Sequence, residues 1–290
     1  MTLIGIILQR GIKVKDMKKE LKIIVLVLSS DEYPAWLNRI FQRKTWSRVN
    51  NKNIEVIFYK GGAKEVLYTK KTLHLKSGTK FSEIGYKTLD SFDWVEKNIE
   101  YDLVFRTSAS SYVDIQNLIS YVKRNFQKNF YAGVKTTANY FKNDITFAAG
   151  SGYFLDKNLI KLILKNRNQW DHRLIDDVAL GKLMSDLNIS LIHFDRNSIN
   201  SFPLYDQMNY EYFLTRCKIN QLNLPRFLEG LFMVKIHNNY LISRNIKNNF
   251  TFFEKICFLI IKVTQKIYPR KLFPYMQNKQ YKKYIKSLGE

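Results

Sequence analysis

Leu21 to Leu28 reads LKIIVLVL, a short apolar run rich in β-branched residues and closed by Ser29-Ser30-Asp31. An unbroken run of this kind predicts a strand covered on both faces, because a half-solvated strand alternates apolar with polar positions. Helical spacing follows from Trp36 to Trp46, and then a second strand over Ile54 to Tyr59, ended by Gly61-Gly62. A further helix is predicted over Ile84 to Asn98, with Ile84, Leu89, Phe92 and Val95 on one apolar side, and a strand over Asp102 to Phe105. A helix around Ile115 to Phe126 leads to another strand over Phe130 to Val134. Strands alternating with helices predict an α/β fold, a mostly parallel sheet flanked by helices and joined by right-handed crossovers. Ligands of open α/β sheets bind beyond the carboxyl ends of the strands, which here are Ser29-Ser30-Asp31 and Arg106 to Ser111.

The pattern changes after about residue 245. Phe252, Phe253, Ile256, Leu259, Ile260, Val263 and Ile267 recur at helical spacing opposite Lys255, Lys262 and Lys266. Such a basic amphipathic helix suits an anionic lipid interface, the alternative being a helix docked on the fold. The chain therefore divides into an extension over residues 1–20, one α/β domain over 21–245 and a basic helical tail over 246–290. No run reaches the roughly 18 apolar residues of a spanning helix. Thr2 to Leu8 is apolar but has neither the basic start nor the cleavage site of a signal peptide.

Composition sharpens this picture in three ways. Hydrophobic residues make up 46% of 290, which fits an ordered globular protein. Aromatic residues, at 14%, read first as core and second as platforms for sugar faces. The net charge of +22, from 47 Lys and Arg against 25 Asp and Glu, calls for an anionic partner: a membrane surface, a phosphorylated substrate or nucleic acid. Nucleic acid is disfavoured, since no zinc-finger spacing, aromatic RNA-binding motif or basic zipper accompanies the charge. Cys217 and Cys257 form no disulfide framework, so a reducing, cytoplasmic setting is expected.

Five segments then occur in a telling order. They are Gln42-Arg43-Lys44-Thr45-Trp46; Tyr86-Lys87-Thr88 with Phe92-Asp93-Trp94-Val95; Tyr101 to Thr107 with Tyr112-Val113; Ala149-Gly150-Ser151-Gly152-Tyr153-Phe154-Leu155; and Ile175-Asp176-Asp177-Val178-Ala179-Leu180-Gly181. Over roughly residues 21 to 240 the chain resembles glycosyltransferase family 31, the β-1,3-galactosyltransferase and fringe-like enzymes. The resemblance implies a GT-A-type, Rossmann-like domain that moves a hexose or N-acetylhexosamine from a UDP-sugar to a glycan, with inversion. It also implies Mn2+ or Mg2+ bound by an acidic triplet. Here that frame holds Ser108-Ala109-Ser110, which offers no carboxylate. The rival reading is a non-catalytic basic protein of this fold that binds membrane or nucleic acid.

An inverting transfer needs a base for the acceptor hydroxyl, and Asp176 and Asp177 are the candidates, with Asp177 favoured. Asp176 also suits the N-cap of the helix that follows. Gly150-Ser151-Gly152-Tyr153 reads as a turn whose backbone approaches the acceptor or donor sugar. Donor contacts are expected from Ser29, Asp31, Arg43, Lys87, Arg106, Thr107, Ser108 and Ser110, the cations and hydroxyls neutralising the diphosphate in place of a metal. Asp31 fits a ribose contact or a cap. If a metal is bound, Asp114 and His237 are its remaining candidate ligands. A lipid-linked glycan acceptor would place the enzyme at the cytoplasmic membrane face.

Overall fold

The computed structural model describes residues 20–140, 143–199, 208–219, 225–246, 255–257, 259, 260 and 263. At its centre β1 (Ile23–Leu28) pairs in parallel with β2 (Ile54–Lys60) on one side and β5 (Leu103–Ser108) on the other. Its continuous apolar run is explained by its place. Ile23, Val25 and Val27 enter the core on one face of the sheet, and Ile24 and Leu26 enter the core on the other. Each such buried aliphatic contributes about 1.5–3 kcal/mol.

Beyond β2 come β4 (Thr72–His74), parallel to it, and β3 (Leu67–Thr69), antiparallel to β4. Beyond β5 the direction reverses through β8 (Asn143–Asp156), and then β7 (Ala132–Tyr140) and β9 (Ile192–His193) complete an eight-stranded order β3-β4-β2-β1-β5-β8-β7-β9. A small second sheet joins β6 (Ser111–Val113), β11 (Leu214–Arg216) and β10 (Asn197–Ser198). Helices α1 (Ala35–Lys44), α3 (Ile115–Asn125) and α6 (Leu228–Ser243) pack on one face of the large sheet, through Phe41, Leu118 and Phe232 among others. Helices α2 (Ile84–Asn98), α4 (Lys157–Lys165) and α5 (Asp176–Asp186) pack on the other, through Phe92, Ile160 and Leu180. This is the predicted α/β architecture, a mostly parallel sheet flanked by helices.

Three details differ from the sequence reading. The strand expected to end at Val134 runs on to Tyr140 as half of an antiparallel hairpin with β8. Gly150 to Tyr153 is not a turn but lies inside β8, where Gly152 makes room for the Phe105 ring: a Cβ there would stand 2.5 Å from Phe105 Cζ. Asp176 does not cap α5; Ile175 is the N-cap residue, and the Asp176 side chain turns into the core. Much of the aromatic content is core, although Tyr33, Trp36 and Tyr86 are exposed. Phe154 packs against Phe105, Tyr121, Phe130, Phe194 and Phe213.

Residues 1–19 of the expected extension, and most of the tail including Phe252, Phe253, Lys262, Lys266 and Ile267, lie outside the described residues. Of the tail, 255–257, 259, 260 and 263 are helical, with Cys257 buried and Leu259 61% exposed. No helix among the described residues is long and apolar enough to cross a membrane.

Candidate active site

The site is founded on a buried arginine in the middle of a hydrophobic sheet. Arg106, 2% exposed on β5, extends its guanidinium towards α5 and meets Asp176 Oδ2 at 2.5 Å. Its Nε donates to the Tyr59 hydroxyl at 3.1 Å and its Nη1 to the Gly150 carbonyl at 2.7 Å. Thr88 on α2 donates to the same Asp176 oxygen at 3.1 Å and lies 3.1 Å from the Tyr59 hydroxyl. Burial is the largest single influence and works against the arginine's charge, but the Asp176 carboxylate together with Tyr59 and Tyr153 outweighs it and holds the guanidinium protonated well beyond its ordinary range. Arg106 and Asp176 thus tie β5, β8, α2 and α5 into one frame. Arg106, expected at the donor diphosphate, is engaged by Asp176, Tyr59 and the Gly150 carbonyl.

Asp177, the next residue, has a different environment. Its Oδ2 accepts the Gly150 N–H at 2.7 Å and its Oδ1 accepts the Val178 N–H at 3.0 Å, so the carboxyl is held in one orientation. No cation pairs with it within salt-bridge distance among the described residues. Burial first, and the neighbouring Asp176 charge second, push its pKa up to about 6. Gly150 is the hinge between the two carboxylates, giving its N–H to one and its carbonyl to the partner of the other. A Cβ at this position would stand 2.8 Å from Asp177 Oδ2. Close packing against the aspartate requires glycine at 150.

The turn after β5 carries Ser108, Ser110 and Ser111. Ser108 and Ser111 share a hydroxyl contact of 3.0 Å, and Ser110 donates to Glu229 Oε2 at 2.7 Å. Glu229, on α6 and fully buried, is saturated: Asn38 Nδ2 and Arg226 Nη2 reach the same oxygen at 2.7 and 3.1 Å, and Arg226 Nε reaches the other at 2.7 Å. The Arg226 guanidinium also touches Ser110 Oγ at 3.2 Å. A divalent metal does not fit these residues. The donors in the metal frame are neutral hydroxyls already in use, the nearby carboxylate is spent, and an arginine occupies the adjoining space. Among the described residues no group of three or more His, Cys, Asp and Glu is placed to hold a metal ion.

Three more cations converge on this turn. Arg216 on β11 is paired in register with Ser111, and the N–H of Cys217 donates to the Ser110 carbonyl at 2.7 Å, which sets Lys218 next to the turn. Arg196 donates to Ser151 Oγ. Ser151 in turn accepts on its carbonyl from Thr107 at 2.6 Å and Ser111 at 2.8 Å. Burial and the neighbouring Arg216 lower Arg196 to about 10, and burial with Arg216 and Arg226 lowers Lys218 to about 8, against an opposing pull from Asp177. Arg196, Arg216, Lys218, Arg226 and Glu229 all lie beyond the last motif legible in the sequence. Only the excess of basic residues hinted at them.

The other expected residues divide between the cleft and the scaffold. Asp31 lies exposed at the end of β1, ion-paired to Arg39 at 3.0 Å and to Lys60, and these partners lower its pKa. Ser29 beside it is buried and accepts from Arg39 at 3.0 Å. Lys87 is buried with its ammonium on the carbonyls of Thr79 and Lys80, both at 3.3 Å, and desolvation lowers its pKa. Arg43 points to the β3–β4 hairpin, bonded to the Lys70 carbonyl and Thr72 Oγ1, at the mouth of a separate cavity of about 300 Å³ lined also by Arg48, Lys71, Val56 and Phe58. Tyr153 is fully buried beneath Arg106, which lies 5.5 Å over its ring, and Thr107 is fully buried as well. Asp114 N-caps α3 through Asn117 and pairs with Arg244 through both oxygens, at 2.6 and 2.9 Å. His237 Nδ1 lies 3.1 Å from the Tyr112 hydroxyl. Both oxygens of Asp114 are thus engaged by Arg244, and His237 is in contact with Tyr112.

The galactosyltransferase family model matches residues 38–195, more than half of the 290-residue chain. No relative matches among curated proteins. Similar solved structures include the glycosyltransferase GlyE of Streptococcus pneumoniae, at 12% identity and a TM-score of 0.36 over 60% of this chain. This chain spans 45% of the length of that protein. A glycosyltransferase involved in glycosylating the major capsid of PBCV-1 has 14% identity and a TM-score of 0.40, over 72% of this chain and 98% of its own. The segment that matches the family contains Arg106, Gly150, Asp176 and Asp177 and ends just before Arg196. The chain belongs to the galactosyltransferase family and is a glycosyltransferase.

Proposed function

We propose that the enzyme transfers a hexose or N-acetylhexosamine from a nucleotide sugar, UDP-linked, to a hydroxyl of a surface glycan or lipid-linked glycan, with inversion at the anomeric carbon. Asp177 is the base. It takes the proton as the acceptor oxygen bonds to the anomeric carbon, and the bond from that carbon to the diphosphate breaks on the opposite face, releasing a nucleoside diphosphate. Asp176 does not share this role, because Arg106 and Thr88 engage its carboxylate. The observation that carries the reading is the contrast between these neighbours: one aspartate is neutralised by a buried arginine, whereas the other is held by two backbone N–H groups with its pKa raised to about 6. A group so tuned is ionised at neutral pH and basic enough to accept a proton.

A panel of nucleotide sugars offered with glycan acceptors tests this, with the anomeric configuration of the product read by proton NMR. A product that keeps the donor's configuration, or no product with any donor, contradicts the proposal. The tail is proposed to hold the enzyme peripherally on an anionic membrane, supported by the exposed Ile256, Leu259 and Val263 at helical spacing beside Lys255. Co-sedimentation of the full chain with anionic vesicles, weakened by salt, is expected; no binding to such vesicles refutes it.

A further inference from the structure

The cavity of about 300 Å³ beside the β3–β4 hairpin has four cations in its lining, Arg43, Arg48, Lys70 and Lys71, and no carboxylate. It is not part of the transfer site. Val56 and Phe58 of its wall belong to the core on the α1 face of the sheet, whereas Tyr59, Tyr153 and Leu180 beside the two aspartates belong to the core on the other face. In the sheet order β2 and β8 are also three strand spacings apart, roughly 14 Å.

Two features of the lining point to an anion. The first is unused hydrogen-bonding capacity. Arg43 spends Nη2 on the Lys70 carbonyl at 2.9 Å and on Thr72 Oγ1 at 2.6 Å, with its guanidinium carbon 5.0 Å over the Phe58 ring, and Arg48 spends Nε on the Arg43 carbonyl at 2.9 Å. The other N–H groups of both arginines, and the ammonium groups of Lys70 and Lys71, meet no protein acceptor among the described residues. The second feature is the turn. Lys70 and Lys71 are its two central residues, between the paired Thr69 and Thr72, with φ of 47° and 57°. A two-residue hairpin turn of this hand ordinarily takes Asn-Gly, because left-handed backbone crowds a Cβ. Two lysines here forgo that preference and bring like charges beside Arg43 and Arg48. Backbone held against its preference in this way is characteristic of ligand clamps, and a multiply charged anion between the four cations offsets their repulsion.

We propose that this cavity is a second anion site, in which Lys70 and Lys71 of the turn close on a phosphate or diphosphate group against Arg43 and Arg48. The arginines supply directional N–H groups for the phosphate oxygens, and the lysines supply point charges that adjust to them. Thr72 and the Phe58 ring hold Arg43 in place before the ligand arrives. Such a group is carried either by a soluble diphosphate or by the headgroup of a lipid, and the two sources are separable by experiment.

The test is titration of inorganic pyrophosphate into the full chain by calorimetry, repeated with the paired variant Lys70→Asn/Lys71→Gly and with Arg48→Met. The paired variant removes two charges and installs the residues the turn prefers, so it should melt at or above the wild-type temperature, which separates a lost ligand contact from a lost fold. Both variants should weaken pyrophosphate about tenfold or more, the range for lost charged hydrogen bonds, and wild-type binding should fall as salt rises. Pyrophosphate also suits a transfer site that holds a diphosphate, so acetylation footprinting by mass spectrometry localises the effect: the ligand should protect Lys70 and Lys71. Co-sedimentation with vesicles of phosphatidic acid and of phosphatidylserine at equal surface charge separates the sources. A preference for phosphatidic acid that disappears in the paired variant identifies a lipid headgroup, and pyrophosphate binding without that preference identifies a soluble ligand. Wild-type behaviour of both variants towards both probes, or no protection of Lys70 and Lys71 by either probe, overturns the proposal. A paired variant that melts below the wild type overturns the reading of the turn.

Discussion

Asp176 and Asp177 are adjacent, both buried and both acidic, yet replacing each by asparagine should move stability in opposite directions. For Asp177→Asn at pH 7.5 the buried charge is removed. Its carboxyl titrates near 6 in the folded protein against 3.8 for an ordinary aspartate, a gap of about two pKa units or roughly 3 kcal/mol of penalty on the charged form. An asparagine oxygen satisfies one of the two N–H groups from Gly150 and Val178 and loses the other, which costs about 1 kcal/mol. The net expectation is a gain of about 2 kcal/mol, seen as a melting temperature about 4–8 °C higher. The sign with pH follows from linkage. A folded pKa above the unfolded value means that the wild type is penalised as pH rises through about 6, so the advantage of the variant fades on acidification and is gone below 3.8. Asp176→Asn leaves Arg106 buried without its carboxylate and should lose about 3–5 kcal/mol. Thermal and urea melts of both variants at pH 7.5 and at pH 4 supply the comparison. A loss of 2 kcal/mol or more in Asp177→Asn at pH 7.5, or an Asp176→Asn variant as stable as the wild type, would refute the division of roles.

Two further outcomes are expected. Gly150→Ala places a methyl 2.8 Å from Asp177 Oδ2 and 3.3 Å from Arg106 Nη1; it should cost about 1–3 kcal/mol in a melt and lower kcat more than it raises KM, by about tenfold or more. The pH profile of kcat/KM should rise through about 6 as Asp177 deprotonates, and that limb should be absent from the residual activity of Asp177→Asn.

Local pattern predicted what local pattern controls. The run LKIIVLVL became the doubly covered β1, and the apolar side of Ile84 to Asn98 became α2, because burial on both faces or on one stripe is written directly into residue order. The Asp176-Asp177 pair was visible for the same reason, as one short motif. Partner choice was not. Arg106 reads as a cation at a strand end and therefore as a phosphate ligand; its burial depends on Tyr59, Thr88 and Asp176, which arrive from three other elements. Gly150-Ser151-Gly152 reads as a turn because glycines usually mark one, whereas here each glycine yields space to a side chain from elsewhere. Asp114 looked like a substitute metal ligand until α6 delivered Arg244 to it. Arg196, Arg216 and Lys218 carry no motif at all, and the short strands β10 and β11 that position them are too brief for periodicity to reveal.

The central claim is that Asp177 is the general base of a glycosyl transfer, and the most direct test is release of nucleoside diphosphate from a nucleotide sugar in the presence of a glycan acceptor, measured for wild type and for folded Asp177→Asn at pH 7.5. The account predicts turnover by the wild type and a loss of about 10²- to 10⁴-fold in the variant, with its melting temperature intact or raised. Turnover by Asp177→Asn within about threefold of the wild type would contradict it.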